Sequence, residues 1–157
     1  MRFFVDGYNV TRRDPATARL EPAAQREALV SRLAARGADL LGRGAIEVVF
    51  DGVSGGGAGE RRGPVEVRFS RDEAADDLIV RRVAGLGGGA TVVTSDAGLA
   101  GRVTAGGARV APAETCFEAS RPARKTRGRY PAASAGLPPG ANRVTEELKK
   151  IWLTDEE

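Results

Sequence analysis

The apolar residues of this chain fall into short unbroken runs separated by stretches of helical spacing. Arg2-Phe3-Phe4-Val5 reads as a short buried strand ending at Asp6-Gly7. Pro22 suits the first turn of a helix, and Leu29, Leu33, Leu40 and Leu41 follow at roughly helical intervals, so a helix is predicted over 22–41. Ala45-Ile-Glu-Val-Val-Phe50 is a second strand, ending at Asp51-Gly52. Residues 52–63 are Gly-rich and basic without periodicity, which predicts a loop. Residues 64–69 alternate through Val65, Val67 and Phe69 as a third, more exposed strand. Ser70 and Glu73 have capping-box spacing, so a helix is expected over about 71–85, stopped by the glycines at 85–89. A fourth strand (90–94), a short helix after Ser95-Asp96, a fifth strand (108–111) and a short helix opened by Pro112 complete the pattern.

Strands that are continuous apolar runs, alternating with helices, indicate α/β architecture: a mostly parallel central sheet with helices on both faces. The length of 157 residues suits one domain with a tail. The domain is expected over 1–119, followed by a Pro/Gly-rich basic linker at 120–141 and a C-terminal segment, 142–157, with a helix capped by Thr145.

Composition narrows the chemistry. The chain has no His, which excludes a His base, a Ser-His-Asp or Cys-His site and His metal ligands. Cys116 is the only Cys, so no intrachain disulfide or zinc cluster exists. No signal-peptide pattern and no apolar run long enough to span a bilayer is seen, so no membrane partner and a cytoplasmic location are expected. Residues 1–119 hold 16 Arg against 16 acids, whereas 120–157 hold 8 basic residues against 5 acids. The net charge of +3 therefore lies in the last quarter. Arg121, Arg124, Lys125, Arg127 and Arg129 form an acid-free cluster, followed by Tyr130. This is either a solvated linker or a phosphate-binding arm whose tyrosine stacks on a base. Arg61 and Arg62 in the Gly-rich loop are further candidates for contact with a phosphate backbone.

Three separate strands end in Asp: Asp6, Asp51 and Thr94-Ser95-Asp96. A parallel sheet brings such ends to one edge, where open α/β sheets bind their ligands. Asp76 and Asp77 start the helix after the third strand, with Glu73 one turn before them. A lone Asp after a strand is commonly a cap or turn residue, and Glu73 and Asp72 also suit a helix dipole. Several together repel one another unless a cation neutralises them. Mg²⁺ or Mn²⁺, one ion or two, is the natural guest of oxygen-only ligands. Asn9 and Ser95 add neutral oxygens.

These residues resemble a known family. Phe-Val-Asp6-Gly7-Tyr8-Asn9, Val-Val-Phe-Asp51, Glu73-Ala-Ala-Asp76-Asp77 and Val-Thr94-Ser95-Asp96 occur in the order seen in YacP-like NYN ribonucleases, a branch of the PIN-like nuclease fold. The resemblance implies a PIN-like three-layer fold with strands ordered about 3-2-1-4-5 and metal-dependent endonucleolytic hydrolysis of single-stranded RNA. It carries metal binding and catalysis to Asp6, Asp76 and Asp96, with Asn9, Asp51, Glu73, Asp77 and Ser95 in support. Family substrates extend to mRNA met on the ribosome, which makes the ribosome a candidate partner. Where relatives often carry a Gln after Thr-Ser-Asp, this chain has Ala97-Gly98-Leu99-Ala100.

Other classes fit less well. A receiver domain needs a Lys near the fifth strand, and no Lys precedes Lys125. The glycines at 55–59 are not GxGxxG and lead into a strand, against a dinucleotide site. A HAD-type phosphatase needs a second Asp at position 8, which is Tyr. The remaining alternative is a non-catalytic RNA-binding module on the same fold.

Overall fold

The structure, a computed structural model, describes residues 1–53 and 59–117. These lie within the unit Met1–Pro122. The expected basic arm (Arg121, Arg124, Lys125, Arg127, Arg129, Tyr130) and C-terminal helix fall outside the described residues.

Six strands form one sheet: β1 (Arg2–Asp6), β2 (Ala45–Phe50), β3 (Glu60–Arg62), β4 (Val65–Phe69), β5 (Ala90–Val93) and β6 (Arg109–Ala111), in the order β3-β4-β2-β1-β5-β6. All neighbours are parallel except β3 with β4. The expected order of five strands is therefore present, with one antiparallel strand added at the edge. The helices are α1 (Gly7–Arg13), α2 (Pro22–Leu40), α3 (Ala75–Val83) and α4 (Ala97–Ala105), with 3₁₀ turns at Gly87–Gly89 and Ala113–Cys116.

Period-two alternation divides the core between the two sheet faces. Phe3, Val5, Ile46, Val48, Phe50, Val65 and Val67 pack with Leu29, Leu33 and Leu40 of α2 and Val10 of α1. Phe4, Val49 and Val92 pack on the opposite side with Leu78, Ile79 and Val83 of α3 and Leu99 and Val103 of α4. Both faces are covered, which is why the central strands carry few polar residues. The exception is Glu47 of β2, 3% exposed. It accepts two hydrogen bonds from Arg82, at 2.9 and 2.7 Å, and stands 3.2 Å from Arg68 Nε.

Three local features depart from the expected pattern. First, residues 7–13, for which the sequence pattern predicts no element, form a helix. Gly7, Asn9, Val10 and Thr11 are weak helix formers, but burial of Val10 and Thr11 overrides propensity. Second, Glu60–Arg62 is a strand, not loop, paired with β4 through a two-residue Gly63-Pro64 turn. Gly63 supplies the positive φ of 57° that such a hairpin turn needs at its first central position. Third, the capping box does not form. Ser70 Oγ instead donates to Asp51 Oδ1 at 2.9 Å and accepts from the Gly52 N–H at 3.1 Å. Arg71 adopts a left-handed φ of 58°, and α3 starts only at Ala75. Asp76 and Asp77 consequently occupy its first turn.

A buried polar knot fixes the turn between α1 and α2. Asp14 and Arg32, both nearly inaccessible, pair at 2.6 Å, and Arg32 also donates to the Cys116 carbonyl at 2.9 Å. Thr11 Oγ1 donates to Gln25 Oε1 at 2.8 Å, and Thr17 Oγ1 donates to the Thr11 carbonyl at 2.7 Å.

Gly7 sets how closely α1 approaches the sheet. A Cβ there would stand 2.3 Å from Cε1 of the buried Phe50 ring. Gly7→Ala is expected to lower unfolding stability by about 1–3 kcal/mol through overpacking, measured by urea denaturation.

Candidate active site

Strand order reverses at β1, with β2 on one side and β5 on the other, so a crevice opens beyond the carboxyl ends of β1 and β5. The parallel registers Asp6↔Val49 and Val5↔Val93 bring Asp6, Asp51 and the 94–96 segment to that edge. The first turn of α3 brings Asp76 into electrostatic range of both Asp6 and Asp96.

Asp6 is buried, 8% exposed. Its carboxyl pKa is raised to about 6, chiefly by desolvation and then by the charge of Asp76, with a smaller push from Asp96. The Thr94 hydroxyl and the Asn9 backbone oppose that rise. Asp76 is raised as well, by desolvation and then by Asp96, with Asp77 and Asp51 adding to the push and Arg102 opposing it.

Thr94 ties two of these acids together. Its hydroxyl, buried at the end of β5, donates to Asp6 Oδ2 at 3.3 Å and accepts the Asp96 N–H at 3.1 Å. Asp96 is the N-cap of α4, its Oδ1 accepting from Leu99 N–H at 2.8 Å. Asn9 Oδ1 accepts the Ser95 N–H at 2.9 Å and so locks α1 to the loop after β5. Ser95 Oγ donates to Glu114 Oε2 at 3.0 Å and accepts from Ala113 N–H at 2.9 Å. Arg13 holds the other oxygen of Glu114 at 3.3 Å.

The remaining candidates are placed differently. Asp77 is half exposed and paired with Arg102 at 2.7 Å. Glu73 precedes α3 rather than lying on it, and pairs with Arg81. Arg61 and Arg62 lie in β3, where Arg62 faces Val65 at the amino end of β4, opposite the carboxylate edge. Arg62 is held by Glu27 at 2.5 Å, and Arg61 stands 3.9 Å from Glu66. Thr94 and Glu114 were not singled out from the sequence as site residues. Thr94 carries a signal, a hydroxyl at the last inward position of a strand. Glu114 carries none, because its contact with Ser95 spans 19 residues.

Among the described residues, no three acids stand close enough to form a ready-made cation cage. The donor set nevertheless fits Mg²⁺ or Mn²⁺. Such ions are held by one or two carboxylates, with water and substrate phosphate completing the shell. Two neighbouring carboxyl groups pushed above their ordinary range also mark a place where positive charge is wanted.

The sheet order and its flanking helices are those of the NYN class of nuclease-like domains. The chain belongs to the YacP-like NYN domain family, whose model matches residues 3–135. Among solved structures it is similar to Rae1 (YacP) from Bacillus subtilis. A point mutant of that protein is 26% identical, with a TM-score of 0.60 over 73% of this chain and 71% of that one. A second Rae1 structure is 24% identical, with a TM-score of 0.58 over 98% of this chain and 92% of that one. No curated protein matches the chain significantly. No helix among the described residues is long and apolar enough to cross a membrane.

The raised carboxyl of Asp6 fixes a sign for pH dependence. The folded state holds this proton more tightly than the unfolded chain, whose Asp titrates near 3.8. Stability from this group is full below about pH 4 and is lost as pH rises through about 6. In metal-free protein, Asp6→Asn is expected to raise stability at pH 7 by about 1–3 kcal/mol. It should also flatten the decline between pH 4 and 6, read by denaturation at a series of pH values.

Proposed function

We propose that this chain is a divalent-metal-dependent endoribonuclease that hydrolyses single-stranded RNA in the crevice between β1 and β5. The observation that carries this reading is the convergence of Asp6, Asp76 and Asp96 from three separate elements, with two of their carboxyl groups held above the ordinary range. Family membership supports a nuclease. The basic segment 121–130 and the motif resemblance to YacP-like NYN ribonucleases support RNA as substrate, and that resemblance extends the proposal to mRNA met on the ribosome.

Asp6, Asp76 and Asp96 would hold the ion, with Asp51 at the flank. When bound, Mg²⁺ or Mn²⁺ supplies Lewis acidity to a phosphate oxygen and acidifies a water. The chain's own residues prepare the site. Thr94 aims Asp6 through its hydroxyl and fixes the backbone of Asp96. Asn9, held by Ser95 N–H, keeps the β1 and β5 ends at a constant separation. Burial of Asp6 lowers the local dielectric, which strengthens its interaction with a cation. Water adds to phosphorus, the bond to the 3′ oxygen breaks, and the products carry 5′-phosphate and 3′-hydroxyl ends. Arg102, held by Asp77, serves as the counter-charge beside Asp76.

The test is incubation of the full chain with a mixed single-stranded RNA pool in Mn²⁺, Mg²⁺ or EDTA, beside Asp96→Asn. Cutting is expected with either metal, and none with EDTA or in the mutant. Asn retains the oxygen that caps α4, so Asp96→Asn should keep its stability, whereas Asp96→Ala should lose about 1 kcal/mol. RNA binding without cutting, on free RNA and on translating ribosomes alike, would overturn hydrolysis and leave an RNA-binding module.

A further inference from the structure

Most of the exposed arginines around the carboxylate edge are already neutralised by acids. Arg13 pairs with Glu114, Arg81 with Glu73 and Arg102 with Asp77. Arg12 and Arg26 differ, because uncharged groups hold them. Arg12, exposed at the end of α1, places its guanidinium 5.0 Å from the centre of the Tyr8 ring. Arg26, on the second turn of α2, donates to the Tyr8 hydroxyl at 2.7 Å and lies 5.7 Å from the centre of the Phe69 ring. Neither has a carboxylate partner among the described residues. A guanidinium held by a ring and a hydroxyl is oriented while its full charge stays available to an anion.

The aromatic rings beneath them form a continuous row. Tyr8 meets Phe50 edge-on at 5.1 Å, and Phe50 stands 5.9 Å from Phe69. Tyr8 is two residues from Asp6, and Phe50 directly precedes Asp51, so the row starts at the proposed cleavage site. It ends at a depression of about 200 Å³ between α2 and the β3–β4 hairpin, lined by Arg26, Val30, Arg62, Val67 and Phe69. Glu27 and Glu60 also line it, and both pair with Arg62.

We infer that Arg12 and Arg26, held on Tyr8 and Phe69, form a subsite that grips single-stranded RNA next to the scissile phosphate, on the β2 side of Asp6. This rests on the RNA substrate proposed above and gives that substrate a path. The guanidinium edges bind flanking phosphates, and the planar Arg12 head, backed by the tyrosine ring, stacks an unpaired base. The choice of single-stranded RNA follows from charge and shape. An anion with unstacked planar rings engages both features at once and also places a phosphate at the neighbouring carboxylates, and RNA rather than DNA is carried over from the substrate proposed above.

The test uses the full chain carrying Asp96→Asn, which prevents cutting, and fluorescence anisotropy with a labelled single-stranded RNA across a salt series. Arg12→Gln with Arg26→Gln should weaken binding at least 10-fold. The double change should also reduce the salt slope by about 1.4, since each phosphate contact on single strands contributes about 0.7. Arg12→Lys should restore the slope contribution of that position while losing the preference for RNA over an abasic strand of equal length, expected at about 5-fold or more. Arg12 is exposed and Arg26 half-buried, and the Lys variant guards against a folding defect in the Gln variants. Unchanged affinity and slope in the double variant, with the otherwise native chain still cutting RNA, would overturn this subsite and leave the nuclease reading intact. A chain that neither binds nor cuts RNA would overturn both.

Discussion

The parallel alignment of β1 between β2 and β5 is the constraint on which the rest depends. A strand buried on both faces can supply little chemistry along its length, because each side chain is committed to packing. Its polar capacity is concentrated where it leaves the sheet. Parallel pairing makes three strands leave in the same direction, so residues far apart in the chain meet at one edge. The carboxylates thereby inherit their positions from the hydrophobic core. Burial of Phe4, Val5, Val92 and Val93 sets the separation of Asp6 from Thr94 as firmly as any contact between them.

That dependence explains what the sequence made legible. The strands were visible as apolar runs, and their parallel arrangement followed from alternation with helices. An acid ending each of three strands then pointed to one edge of the sheet as the candidate site. The less legible elements owe their form to tertiary contacts. α1 is built from weak helix formers and exists because Val10 and Thr11 are buried. β3 has no apolar residue and is a strand because β4 offers it an edge. The start of α3 was misjudged because Ser70 had two competing uses, and the β2–β3 turn took its hydroxyl. The roles of Thr94, Glu114 and the Arg12–Tyr8–Arg26 group depend on pairings between distant segments that no local spacing encodes.

The site is stabilised unevenly. On one side, Asn9, Ser95, Ala113, Glu114 and Arg13 form a closed chain of hydrogen bonds. At its centre, the buried Asp6 and the half-buried Asp76 repel each other, and the Arg102 guanidinium, which faces Asp77 directly, offsets part of the charge on Asp76. Rigid surroundings are what keep such a repulsive centre from relaxing. The sheet supplies that rigidity, and the proton that Asp6 holds up to about pH 6 relieves part of the charge.

Glu47 shows the same core enforcing its own alignment. It lies mid-strand in β2, on the side that faces α3, where Arg82 and Arg68 meet it. Sliding β2 by one residue would turn this carboxylate toward the Leu29 and Leu33 side of the sheet, strand Arg82 without its partner and leave Arg68 with Glu66 alone. The apolar residues of β2 are interchangeable enough to tolerate either face, so they discriminate weakly between the two alignments. The single acid does not tolerate both, and it works as an error check on strand pairing. Because Asp51 follows four residues later, just past the end of that strand, a mis-threaded β2 that escaped this check would carry this carboxylate away from Asp6.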